Sequence, residues 1–213
     1  VDTLLVSISP FHNAFIPYDR DMTVIDACRR TGMTDYPRVN AFVRDLTRLD
    51  IHRTHDMAEF EAAFGSDYLR HIPDRYWIHL GGRALETFGA VYPKKPLEQV
   101  LEQSPQSCTG TLSDTSHFHI DLHGHYIPGL CAGLVIAMED LGGGLPGGKY
   151  GLLERLAATG IRGLFAMAEE RHAYSPRDDG YLNHCDLCND IRKSLWRLDG
   201  LTFAELAPDG FYR

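Results

Sequence analysis

No apolar run in this 213-residue sequence reaches the length of a membrane span; the longest, around Gly129–Met138, is about half of what a span needs. No basic-then-apolar leader opens it, so the expected location is the cytoplasm. Blocks of basic charge are also missing, the longest being the pairs Arg29-Arg30 and Lys94-Lys95. With 21 Lys and Arg against 29 Asp and Glu, the net charge is -8, which argues against an open nucleic-acid or membrane surface. Neither nucleic acid nor membrane is therefore expected as a partner. H-E-x-x-H, G-x-S-x-G and a Walker loop do not occur. The glycine run at 142–148 lacks the Gly-Lys-[Ser/Thr] ending of a phosphate loop, because Lys149 leads into Tyr150, and it reads as a mobile connection.

What is present is a chain with 44% hydrophobic residues, enough to bury a core. Residues 3–9 read as a buried strand ending at Pro10, and a loop with Phe11, His12 and Asn13 follows. A helix is expected over 21–31 with Gly32 as its C-cap, completing one β-loop-α unit of the kind an α/β protein repeats. From Pro37 to about Ala63 the spacing suggests two further helices, and Tyr76–Leu80 a short strand. A short helix over 83–89 precedes a proline-containing linker, 92–107. The second half changes character. Phe118, Ile120 and Leu122 alternate with His117, His119, Asp121 and His123, and Gly124 permits the turn of a β-hairpin. Helices are expected at 131–141, 150–158 and 161–171, with another after Cys188.

Five cysteines is an odd number, and in a reducing compartment cysteines serve as metal ligands or plain core residues. Cys185 and Cys188 are spaced C-x-x-C, so both thiolates can point to one side of a first helical turn, with Asn183 as a possible N-cap. A redox dithiol is the rival reading, but no strand precedes the pair as that motif requires. Cys108 and Cys131 flank the hairpin, which can bring them to one end. Together the four satisfy either a tetrahedral zinc site or a cubane cluster. Cys28, on the apolar side of the helix over 21–31, reads as a core residue. The alternating histidines 117, 119, 123 and 125 permit a metal site on one strand face, though a polar hairpin face is the simpler reading.

Cys108 and the run Phe118-His119-Ile120-Asp121-Leu122-His123-Gly124-His125-Tyr126-Ile127-Pro128-Gly129-Leu130-Cys131 resemble the opening of SPASM and related twitch auxiliary-cluster domains. Tyr181-Leu182-Asn183-His184-Cys185-Asp186-Leu187-Cys188 resembles the closing cysteine pair of such a domain. These domains follow the catalytic barrel of many radical SAM enzymes. Gly82-Arg83-Ala84 resembles the barrel exit in that family, and Val6-Ser7-Ile8-Ser9 resembles its fourth barrel strand, with Ser9-Pro10 in place of Asp-Gly.

The resemblance implies an α/β fold: a partial (β/α) barrel over residues 1–91, the linker 92–107, and a small α+β domain over 108–213 with a β-hairpin and a cysteine-bound cluster. It implies an auxiliary [4Fe–4S] cluster on Cys108, Cys131, Cys185 and Cys188, and Ser7 and Ser9 as cofactor-facing residues; His12, in a loop where α/β barrels carry active-site groups, is expected to face substrate or cofactor. The family's C-x-x-x-C-x-x-C, which holds the cluster that cleaves S-adenosylmethionine, occurs nowhere in the chain. The chain is thus expected to be the C-terminal part of a radical SAM enzyme, whose N-terminal half would carry that second [4Fe–4S] cluster and S-adenosylmethionine. Its substrate would be an unidentified small molecule or peptide. The alternative is a non-enzymatic module in which the same four cysteines hold Zn²⁺.

Overall fold

A computed structural model of the chain describes residues 3–38, 40–199 and 203–212. They fall into two compact units, Val1–Ile78 and His79–Arg213. In the first, strand β1 (Thr3–Ser7) leads through one helical turn, α1 (Pro10–Asn13), into helix α2 (Tyr18–Thr31), and the chain returns as β2 (Thr34–Arg38). The two strands pair in parallel, Thr3 opposite Thr34 through Ser7 opposite Arg38, so the expected β-loop-α unit is formed. Gly32 closes α2 in the left-handed region at φ 70°, where only glycine sits without strain. β1 is not covered on both faces, since Leu5 is half exposed while Val6 is buried.

The expected partial barrel is not formed. Among the described residues this sheet stops at two strands, and Tyr76–Leu80 is not a strand. After β2 the chain winds into short helices, α3 (Val43–Leu46), α4 (Met57–Phe64) and α5 (Tyr68–His71). The reason lies in what the aromatic residues do. Phe42, Leu46, Phe60, Tyr68 and Ile72 are all buried, with the Phe60 ring stacked 5.4 Å from Tyr68. Arg75 lies over the Phe42 ring at 4.6 Å and reaches Asp45 at 2.5 Å, and the Tyr68 hydroxyl donates to the same carboxylate at 2.7 Å. Turns at helical spacing gather these rings into a core of their own, so no further parallel strand is needed to cover them. A capping box fixes the start of α4: Asp56 accepts from the Glu59 N–H at 2.9 Å and the Glu59 carboxylate accepts from the Asp56 N–H at 3.2 Å.

The second unit runs through α6 (Arg83–Thr87), α7 (Leu97–Gln103) and α8 (Thr109–Leu112) into strands β3 (Phe118–Ile120), β4 (His125–Pro128) and β5 (Ile136–Ala137). Helices α9 (Gly151–His172) and α10 (His184–Asp199) follow. The 92–107 stretch, read as a linker, carries α7 and buries Val100 in this unit's core. β3 and β4 form the expected antiparallel hairpin, and β5 adds to β4. Residues 131–141, expected as a helix, instead make a turn, β5 and a 3₁₀ turn (Met138–Asp140). The free edge of β4 takes up Ile136 and Ala137, and the Ala137 N–H donates to the Tyr150 hydroxyl at 3.0 Å. The core joins Leu152, Leu156, Ile161 and Leu164 of α9 to Leu187, Ile191 and Leu195 of α10. Buried Glu205 caps α9 from far along the chain, accepting from the Leu152 and Leu153 N–H groups at 2.6 and 3.3 Å. No helix among the described residues is long and apolar enough to cross a membrane.

Candidate metal centre

α9 contains a break that positions Cys108. Gly160 has φ 62° and ψ −157°, a backbone conformation essentially reserved for glycine, so the hydrogen bonds of a continuous helix are interrupted there. The carbonyls this frees take other donors. The Leu156 carbonyl accepts from the Cys108 N–H at 2.8 Å. The Ala157 carbonyl accepts from the Ser107 and Thr109 hydroxyls at 2.7 and 2.8 Å. A Cβ on Gly160 would stand 2.9 Å from the Pro105 carbonyl oxygen, so the bare backbone is also what lets the 105–108 loop approach.

Cys131 arrives from the other side of the hairpin. Gly129 (φ 52°) leads into it, and a Cβ there would lie 2.6 Å from the Thr111 carbonyl oxygen, so the turn before Cys131 rests on the turn after Cys108. Cys185 and Cys188 stand in the first turn of α10, as expected. The Asn183 side chain caps that turn by accepting from the Asp186 N–H at 2.9 Å. The Asp186 carboxylate accepts from the Leu182 N–H at 2.9 Å and meets Arg177 at 2.8 Å, which ties down the entry to the helix.

The structure brings these four cysteines together electrostatically. Burial pushes the Cys108 thiol up to about 11, with the charge of Cys188 adding to it. Burial pushes Cys131 up to about 12, helped by Cys188 and Cys108 and opposed by Arg192. Cys185 is raised to about 12 by burial first, then by Cys188, Cys131 and Cys108, again with Arg192 opposing. All four remain partly accessible, so they are not sealed into the core. Cys28 has a different place: it is buried inside α2 in the first unit, its Sγ 3.9 Å from the Met33 sulfur.

Arg192 was not legible as a site residue. It lies one helical turn after Cys188 and is only 4% exposed. Its Nε donates to the Cys188 carbonyl at 3.3 Å, and its Nη1 to the Ala132 carbonyl and the Tyr212 hydroxyl, both at 3.0 Å. Burial disfavours its charge, but Tyr212 and Cys188 outweigh that and hold its pKa above the ordinary arginine value. No carboxylate among the described residues pairs with it. The Tyr212 hydroxyl in turn donates to the Gly133 carbonyl, so the C-terminal segment is fastened onto the Cys131 turn.

His79 and His184 lie near one another at the start of α10. The His79 ring bonds the backbone of Leu130, and burial draws its pKa below the usual histidine value. His184 is lowered by burial and by His79 beside it. The Asn183 amide donates to the Leu80 carbonyl at 3.3 Å, so the 79–82 segment lies against the start of α10. His184 could have been suspected from its position before Cys185; nothing in the sequence marks His79.

Of the residues expected to face a cofactor, Ser9 and His12 bond each other, Ser9 Oγ to His12 Nδ1 at 2.7 Å, with Ser9 capping α1. Ser7 is half-buried on β1. None of the three belongs to the unit that carries the four cysteines.

As the side chains stand, no three His, Cys, Asp or Glu groups among the described residues form a set able to hold a metal ion. The four thiols are neighbours, not a closed cage. Their chemistry nonetheless fits a thiolate-bound group. Four soft donors from three chain segments share one environment, and metal binding would remove the protons that burial keeps on Cys108, Cys131 and Cys185. A buried cation without a carboxylate supplies counter-charge. Comparison with protein-family models, with curated proteins and with solved structures found no match to this chain.

Proposed function

We propose that Cys108, Cys131, Cys185 and Cys188 hold a [4Fe–4S] cluster, and that the chain serves as the auxiliary-cluster part of a radical SAM-type enzyme. The observation that carries the cluster is Arg192, a buried guanidinium bonded to neutral oxygens, whose charge acts on Cys131 and Cys185 and is itself held by Cys188. Four thiolates around a cluster leave a net negative charge, and a buried cation lowers the cost of placing it there. The radical SAM context rests on the resemblance of the hairpin and of the closing cysteine pair.

Such a cluster supplies one-electron transfer at a potential governed by burial, charge and hydrogen bonds to sulfur. The chain's own residues divide the remaining work. The break at Gly160 holds the Cys108 loop, Asn183 and Asp186 set the first turn of α10, and Arg192 with Tyr212 closes the Cys131 turn. A second reading, Zn²⁺ on the same four thiols, needs them to converge more tightly. Tetrahedral Zn–S bonds of about 2.3 Å place sulfurs closer together than a cubane does, and no such set stands ready among the described residues.

Anaerobic reconstitution with iron and sulfide decides between them. The expected result is a brown protein whose visible absorption bleaches on reduction, with iron and sulfide in equal amounts. Serine at any of the four cysteines is expected to lower bound iron, whereas Cys28→Ser leaves it unchanged. A colourless protein that retains one zinc ion per chain would establish the zinc reading instead.

A further inference from the structure

The hairpin that joins Cys108 to Cys131 carries a group of side chains the four-cysteine reading does not use. His119 pairs with Ile127 and Ile120 with Tyr126, and the Asp121 N–H donates to the His125 carbonyl at 3.0 Å, so Asp121 stands opposite His125. Side chains alternate along a strand and directly opposed residues share a face. His119, Asp121 and His125 therefore project from one face of the hairpin, with His117 two residues before His119.

Two features of this face point to a metal. The first is a pair of ring nitrogens: His117 Nε2 and His119 Nε2 are 3.0 Å apart, with the two rings near perpendicular at 85°. Whatever the angle between the ring planes, two nitrogens about 3.0 Å apart that each bind one ion at about 2.1 Å subtend about 90° at that ion, and the separation is also that of the hydrogen bond the pair makes without metal. Right-angle placement is the tetragonal geometry that divalent copper and nickel prefer. The second is how His125 is held. Its Nδ1 lies 2.9 Å from Asp121 Oδ2, while Asp121 Oδ1 accepts from the backbone N–H groups of His123 and His125 at 2.8 and 2.9 Å. A carboxylate can only accept, so in the neutral ring the proton sits on Nδ1 and Nε2 has the lone pair. This is the carboxylate–imidazole arrangement that orients a metal-ligating histidine.

We propose that this face is a second metal site, in which His117 and His119 chelate a divalent ion of the nickel or copper type and His125 lies on the same face as a further donor. The proposal does not depend on what the four cysteines hold. No three donors are yet drawn together, so water completes the coordination around the histidine pair. His117 and His119 are both exposed, and replacing them leaves the core untouched.

The test is an equilibrium titration of the untagged full chain with Ni²⁺, which does not oxidise thiols. It is run in parallel on native protein and on H117A/H119A, so that nickel taken by cysteines is common to both. Nickel affinity at one site is expected to fall at least tenfold in the double variant, with the thermal midpoint of the metal-free protein unchanged. H123A is expected to bind like the native protein, because His123 is not part of the nitrogen pair. Equal nickel binding by native protein and H117A/H119A would overturn the proposal, as would an equal loss in H123A.

Discussion

A guanidinium removed from water needs either an anion or a ring of oxygens, and Arg192 has the oxygens. Its donors go to two carbonyls and a tyrosine hydroxyl, and the neighbouring groups that respond to its charge are Cys131 and Cys185. Arg192→Met should therefore make a bound cluster harder to reduce, since the reduced state carries one more negative charge. The expected shift is roughly 50–120 mV more negative, the effect of one unit charge at several ångströms in an effective dielectric of about 20. Protein-film voltammetry would measure it. Arg192→Lys keeps the charge while losing the planar fork, so it should shift the potential much less. Equal shifts in both variants would mean that packing, not charge, is the residue's contribution. The cysteines proposed as ligands could be singled out from spacing, their place about the hairpin and the resemblance, but Arg192 could not. An arginine on a helix has no pattern that tells whether its stem runs outward to water or inward to thiols.

The element that most deserves a mutation is α9, because its break does two jobs. Gly160 adopts a backbone conformation costly for any residue with a Cβ, and it frees the Leu156 and Ala157 carbonyls for the Cys108 loop. Gly160→Ala should cost about 1–3 kcal/mol from the backbone strain alone, more if the clash with the Pro105 carbonyl oxygen is not relieved. Denaturant unfolding reads that loss. Reconstituted iron should fall as well, since Cys108 loses the carbonyl that anchors its N–H; Gly151→Ala, where an added methyl meets nothing within 4 Å, tests whether any added methyl in α9 has the same effect. The sequence placed two helices on either side of Gly160, and that much was correct. It did not reveal that the break points its loose carbonyls at residues 107–109, some fifty positions earlier in the chain. α10 was more legible, because a capping asparagine, an amphipathic run and a C-x-x-C pair are all local signals.

At the scale of the whole molecule, the expectation of a partial (β/α) barrel gave way to a two-stranded parallel sheet with short helices in one unit, while the other unit holds all four clustered cysteines. Reductive cleavage of S-adenosylmethionine requires an iron left open for the cofactor's amino and carboxylate groups. Four cysteine ligands leave none. The reconstituted 213-residue chain is therefore expected to form no 5′-deoxyadenosine from S-adenosylmethionine and a strong reductant, as followed by liquid chromatography. Production above a cluster-free control would show that one of the four thiols is not a ligand.

What the sequence by itself determined are features whose causes lie within a few residues of one another. Period-two alternation with Gly124 made the hairpin, Gly32 closed α2, Asn183 started α10, and the C-x-x-C spacing put two thiols on one turn. Only the tertiary structure decided the rest. Whether β1 gains more neighbours depends on other strands being available to pair with it, and the apolar residues of 42–72 found a lower-energy arrangement in packing their aromatic rings together. The meeting of Cys108, Cys131 and α10, and the turning of Arg192 and Tyr212 toward them, depend on contacts between segments tens of residues apart. Such contacts are selected by the free energy of the assembled core, which no local pattern of residues encodes.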